Sequence, residues 1–215
     1  MYGGVIETDK KYGGTMAEHI LRFVADALER VILDQHEATA LWHEKDPSED
    51  DFDRRAKGER GDAFYEALRP LVLRQHLMNF RLWHKEDEAR RRDVDDSVIA
   101  ECKRYIDVHN QRRNDGMERV DECVVQAVVN VAGCAGERHN TESVGMVVDR
   151  LSILSLKIFH MEEETRRQDA DDAHREACAK KLMTLLEQRM DLRAALGDLI
   201  EEFAAGTKSP KVYYQ

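Results

Sequence analysis

Proline and aromatic residues are scarce: 3 prolines and 7% Phe, Trp and Tyr in 215 residues. So few turn-forming and ring side chains lean toward long helices with solvated outer faces. No stretch carries a strand signal. Basic excess is also missing, since 33 Lys and Arg stand against 43 Asp and Glu for a net charge of −10. This excludes general nucleic-acid binding, which rests on a basic footprint. Long apolar runs are absent too. The nearest, Cys123 to Ala135, is broken by Gln126 and Asn130, so insertion of a helix into a membrane is not expected. Met1 to Lys11 lacks the apolar core of a signal peptide. The four cysteines, Cys102, Cys123, Cys134 and Cys178, have no CxxC spacing. They read as reduced thiols, two of them in apolar stripes, and point to a cytoplasmic protein. There is no P-loop, G-x-G-x-x-G, nucleophile elbow or His-Glu-x-x-His. Gly206-Thr207-Lys208-Ser209 lacks a glycine-rich lead and is no phosphate loop. His174 and Cys178, one turn apart, read as a surface histidine beside a core thiol.

What the chain has is 42% apolar and 35% charged residues arranged at helical spacing. The period predicts an all-α fold, an elongated antiparallel bundle of about five long helices. Residues 1–14 read as a flexible N-terminal arm, 15–206 as one helical-bundle domain and 207–215 as a patternless tail. The first helix runs from Thr15 to Glu44 and stops before Pro47 and the acidic run Ser48 to Asp53; Gly58 and Gly61 mark a loop. The second begins near Asp62, and Pro70 inside it predicts a kink or restart. The third spans Ser97 to Val131, capped by Asp95, Asp96 or Ser97, and ends at Gly133. The fourth starts from a cap at Asn140 or Thr141 and runs to about Arg167. Asp169, Asp171 and Asp172 open the fifth, which stops at Gly206.

The third helix organises the rest. Ile99, Cys102, Ile106, Met117, Val120, Val124, Val128 and Val131 form one apolar seam, interrupted where the period reaches Asn110 and Arg113, with Asn114 beside them. An unpaired buried charge costs roughly 3–5 kcal/mol against a domain stability of about 5–15 kcal/mol. Arg113 must therefore meet an acid, meet an anion, or reach water. Other helices show similar interruptions. His84 and Asp87 continue the line of Leu73, Leu77 and Phe80. Asp149, Ser152, His160 and Glu163 share a face of the fourth helix among Ile153, Leu156 and Phe159. Arg189 and Arg193 fall among leucines of the fifth. The pieces Gln35-His36…Leu41-Trp42-His43 and Gln75-His76…Leu82-Trp83-His84 echo each other with spacing one residue apart, which reads as coincidence rather than duplication.

Arg113-Asn114-Asp115 and Asp149-Arg150-Leu151-Ser152-Ile153, in the wider setting of Leu82 to Asp87, Asn110 to Asp115 and Asn140 to Ser143, resemble the motifs of the bacterial domain-of-unknown-function family 4254. The resemblance spans roughly His19 to Phe203. It implies a helical bacterial protein without an established activity, in the company of glycosyltransferases of envelope polysaccharide synthesis.

Three readings of the interrupted stripes follow. In the first, a polar pocket binds an anionic, phosphorylated or carboxylated small molecule and turns it over in an enzyme of this kind. Arg113, helped by Arg189 or Arg193, meets the anion, since a planar guanidinium suits bidentate recognition. Asn110 and Asn114 orient the ligand, Trp83 stacks on it, and Asp149 pairs with an arginine. Asp87, Arg150 and Ser152 complete the lining, and His84 or His160 carries the proton. In the second, the polar residues only fix helix register, as in a partner-binding module. In the third, His84-x-x-Asp87 and His160-x-x-Glu163 hold a divalent ion, in the reverse order of di-iron bundles. The first is preferred, so no residue is assigned as a metal ligand. The cofactor stays unknown, and a homo-oligomer is compatible with the sequence.

Overall fold

The computed structural model describes residues 16–47, 52, 63–132 and 136–214, with the side chains of 16–20 and 130–132 left aside. The expected N-terminal arm, most of the acidic run 48–53, the loop at Gly58 and Gly61, the Gly133 stop and the Val131 side chain lie outside the described residues. Five helices make an all-α bundle: α1 Met16–Glu44, α2 Ala63–Ala89, α3 Asp96–Ala132, α4 Val144–Arg166 and α5 Asp172–Ala204. No described helix is long and apolar enough to cross a membrane.

Helix α4 packs against each of the other four, as do α1 and α3. It buries residues on more than one side, including Val147, Val148, Asp149, Leu151, Ser152, Leu154 and Leu156. Leu21, Val24, Leu28, Val31 and Ile32 of α1 recur at helical spacing and bury against Leu68 and Val72, Val120 and Val124, Val148 and Leu151, and Ile200 and Phe203. Full burial of such a side chain stabilises by about 1.5–3 kcal/mol. Further along, Ala38 and Trp42 of α1 join Leu73, Leu77 and Phe80 of α2, Leu156 of α4 and Phe52 in a second apolar cluster. Where the first cluster gives way to the second, the interior turns polar: Gln35, Thr39, Gln75, His76, Asn79, Asp149 and Ser152 are all buried.

Several boundaries differ from the expectation. Helix α2 passes through Pro70 as one element. The cap of α4 is Ser143, whose hydroxyl accepts from the Met146 amide at 3.3 Å, rather than Asn140 or Thr141. Asn140 instead donates to the Glu142 carbonyl and accepts from Lys208. Asp171 caps α5 by accepting from His174 N at 2.7 Å. The segment after Gly206, which takes the left-handed φ of 67° past the helix end, is not loose. Lys208 bridges Arg138, the Ser209 amide donates to the Arg138 carbonyl at 2.9 Å, and the Tyr214 hydroxyl donates to Glu122 at 2.9 Å.

Gly145, in the first turn of α4, sets how closely α3 and α4 approach. Its amide donates to buried Asp121 Oδ1 at 2.6 Å, and a Cβ there would run into the Met117 carbonyl oxygen and lie 3.0 Å from the Asp121 carboxylate. Because both obstacles belong to the facing helix, Gly145→Ala should destabilise by about 1–3 kcal/mol. Urea denaturation checks this as a lower midpoint at unchanged m.

Candidate functional site

The interior polar layer is built around Asp149, 2% exposed on α4. Arg113 of α3 meets it in a fork, Nε to Oδ1 at 2.8 Å and Nη2 to Oδ2 at 2.6 Å. From α2, Gln75 Nε2 donates to Oδ1 in a short contact and Asn79 Nδ2 donates to it at 2.9 Å. Asn79 Nδ2 also donates to Ser152 Oγ at 2.8 Å. Asp149 holds the Arg113 guanidinium above its ordinary pKa, against the pull of burial. Among the described residues Nη1 of Arg113 carries no hydrogen bond, and the side chain keeps 28% of its surface.

The layer continues into α1. Ser152 Oγ lies 2.7 Å from His76 Nδ1, and His76 Nε2 lies 3.0 Å from Thr39 Oγ1, which donates to the Gln35 carbonyl at 2.9 Å. Since the Thr39 proton goes to the carbonyl, His76 must donate from Nε2 and accept at Nδ1. Burial, the dominant cause, lowers the His76 pKa to about 3 and keeps the ring neutral. Trp42 stacks on it at 5.0 Å.

A cavity of about 230 Å³ opens beside the Arg113–Asp149 pair, lined by Asn79, Trp83, Glu86, Arg90, Asn110 and Arg113 over Leu82, Ile153 and Leu156. Trp83 is stacked parallel on His160, 6° between planes with centroids 4.9 Å apart. A second cavity of about 240 Å³ lies between α2 and α3, where Arg74, Arg81, Arg112 and Arg119 converge with Asp115.

Beyond Trp83 stands a cluster of three histidines from three helices: His43 of α1, His84 of α2 and His160 of α4. Ring centroids are 5.1 Å apart for His43–His84, 4.8 Å for His43–His160 and 6.0 Å for His84–His160. Their ligand atoms all lie within 4.8 Å of one another. His43 Nδ1 donates to the Thr39 carbonyl at 2.7 Å, and His160 Nδ1 donates to Glu163 Oε2 at 3.0 Å. The opposite nitrogens, Nε2 of both rings, are buried without a hydrogen-bond partner among the described residues. Such an orphan costs about 1–3 kcal/mol. Burial, then the neighbouring His43, lowers the His84 pKa, and burial is likewise the leading cause of the lowered His160 pKa. A second donor group, Glu164, His174 and Cys178, is already closed on itself, with His174 Nε2 bonded to Glu164 at 2.9 Å and 3.4 Å from Cys178 Sγ.

The structure thus divides the residues singled out in the sequence. Trp83, Asn110 and Arg113 line the first cavity, with Asp149 and Ser152 buried beneath or beside it. His84 and His160 stand in the histidine cluster. Asp87 is exposed and bonded to Arg90 at 2.7 Å. Arg150 is exposed and paired with Glu142 at 3.1 Å. Arg189, half-buried on α5, faces His36, Glu162 and Arg193, away from the cavity, and burial lowers its pKa. Arg193 pairs with Glu29 of α1. Asn114 is half-buried and does not line the cavity. Gln35, Thr39, His43, Gln75, His76 and Asn79 join the site without interrupting an apolar stripe named in the sequence, although the echo between the two helices contains four of them: Gln35, His43, Gln75 and His76.

An all-helical bundle with a polar interior layer and a lateral pocket is the class defined by fold and site. Residues 69–212 match the family described as Protein of unknown function (DUF4254). The chain belongs to that family, and the match runs from α2 through the tail while α1 lies outside it. No curated protein and no solved structure matches the chain.

Two outcomes follow. Asp149→Leu leaves the Arg113 guanidinium without its acid and should cost about 3 kcal/mol, the lower end for a broken buried pair because Arg113 is part-exposed. Adding Arg113→Met should recover some of that in urea denaturation. For His76, the unfolded ring takes up a proton below about 6.5 while the folded ring does so only near 3. Its contribution is complete above about 6.5 and is lost as pH falls toward 3, with a slope up to about 1.4 kcal/mol per pH unit. His76→Gln should flatten the stability–pH curve between pH 6.5 and 3 relative to the parent.

Proposed function

We propose that this protein binds an anionic small molecule, phosphorylated or carboxylated, in the cavity beside the Arg113–Asp149 pair. The observation that carries the reading is the state of Arg113: Nε and Nη2 are locked by a buried carboxylate, Nη1 has no hydrogen bond among the described residues, and the part-exposed side chain lines the cavity. A guanidinium fixed in this way loses little side-chain freedom when it meets a ligand oxygen, so the binding free energy is reduced less by ordering. Asn110 supplies an amide for orientation, and Trp83, held by its stack on His160, offers a flat wall for a ring. Because Asp149 balances the Arg113 charge, recognition is by directed hydrogen bonds more than by net potential. His84 and His160 are absent from the lining, so the reading is binding rather than turnover.

The bidentate geometry also favours a second reading, in which the layer only fixes the register of α2, α3 and α4 and no ligand is involved. A thermal-shift screen with sugar phosphates and nucleotide sugars separates the two, since a ligand of the native state raises the Tm. The binding reading expects at least one such compound to raise the Tm of the parent and of Arg112→Met, in the other cavity, but not of Trp83→Ala or Asn110→Ala. A screen without any shift, or a shift that survives both cavity substitutions, overturns it. A shift lost only in Arg112→Met moves the ligand to the arginine-lined cavity between α2 and α3.

A further inference from the structure

We propose that His43, His84 and His160 form a binding site for one divalent transition-metal ion of the zinc class. Three features of the cluster support it. First, one imidazole comes from each of three helices, and their ligand atoms converge within 4.8 Å. Zinc–nitrogen bonds of about 2.0–2.1 Å in tetrahedral geometry set neighbouring ligand nitrogens about 3.3 Å apart. The remaining adjustment is on the order of 1 Å, and of the three rings only His84 is exposed.

Second, the lone pairs are already aimed. A metal-bound histidine typically donates its other ring N–H to a carbonyl or carboxylate, which fixes the tautomer. His43 does so to the Thr39 carbonyl and His160 to the Glu163 carboxylate, leaving Nε2 unprotonated on each. Third, those two nitrogens are buried without partners among the described residues. Packing alone accounts for the rings, which Phe159 and Trp83 stack upon at 4.1 and 4.9 Å. It does not account for two unmatched acceptors facing one another's neighbourhood.

The donor set chooses the ion. Neutral imidazoles suit zinc, cobalt, nickel and copper, whereas magnesium and calcium take oxygen ligands. Three protein ligands leave a fourth position for water or another ligand, the arrangement of reactive rather than purely structural zinc sites. None of the three histidines lines the Arg113 cavity, which lies on the other side of Trp83.

The test uses the untagged full chain, stripped with chelator and titrated with Co(II), whose tetrahedral complexes give d–d bands that are far more intense, and at longer wavelength, than those of octahedral aqueous Co(II). One equivalent should bind with those bands, Zn(II) should displace it, and Zn(II) should raise the Tm. His84→Ala, at an exposed position, should abolish both the bands and the Tm shift while circular dichroism stays unchanged. Glu163→Gln should weaken binding 10–100-fold. His174→Ala and Arg113→Met should leave it intact, so this site and the Arg113 cavity fail separately. Absence of tetrahedral bands at one equivalent of Co(II), or bands that persist in His84→Ala or vanish in His174→Ala, overturns the proposal.

Discussion

A carboxylate placed in the middle of a bundle has to be met by donors from its neighbours, and the Asp149 side chain is met from two sides. Gln75 and Asn79 reach it from α2 and Arg113 from α3. Desolvating such an ion costs several kcal/mol, and only close, well-directed donors offset that. A shift of α2 or α3 by one residue along its axis would carry every donor about 1.5 Å along and 100° round. The apolar side chains on these faces could slide with small losses. The polar ones cannot, so Asp149 fixes which turn of each helix sits opposite which.

The same constraint explains why the interior has two apolar clusters rather than one. Gln35 and Thr39 occupy the α1 stripe between Ile32 and Trp42, where leucine would extend the core without interruption. Thr39 there serves two neighbours: its hydroxyl faces His76 and its carbonyl accepts from His43. The polar layer and the histidine cluster are therefore one connected structure, and α1 holds both ends of it. Gln35 reaches α4 as well, donating to the Val148 carbonyl at 3.3 Å.

Much of the architecture is legible in residue spacing. The five helices, the break at Pro47 and the seam of α3 follow from the 3.6 period and the usual stop signals. Arg113 stands out because a charge occupies a position whose neighbours along the seam are apolar. Gln75, His76 and Asn79 are harder. They alternate with Leu73, Leu77 and Phe80, and a single-stripe reading assigns them to water. In fact α2 is covered by α1, α3 and α4, so both sets are buried, and only the packing of neighbours reveals it. His43 and His84 illustrate the same limit. Their matching Trp-His dipeptides are visible in the sequence, but that the two rings come within 5.1 Å depends on how α1 and α2 run side by side. The α4 cap moved to Ser143 because several side chains in Asn140 to Ser143 can cap, and the Asp121 and Gly145 contact selects the register.

The donor order within the layer has one more consequence. The Ser152 hydroxyl gives its hydrogen to His76, His76 gives one to Thr39, and Thr39 gives one to the main-chain oxygen of Gln35. A peptide oxygen has nothing to hand on, so the series ends there. It is a strut and not a wire: no proton entering beside Arg113 can be relayed through it to the imidazoles beyond Trp83. Acid or base chemistry at one place is therefore uncoupled, along this series, from acid or base chemistry at the other.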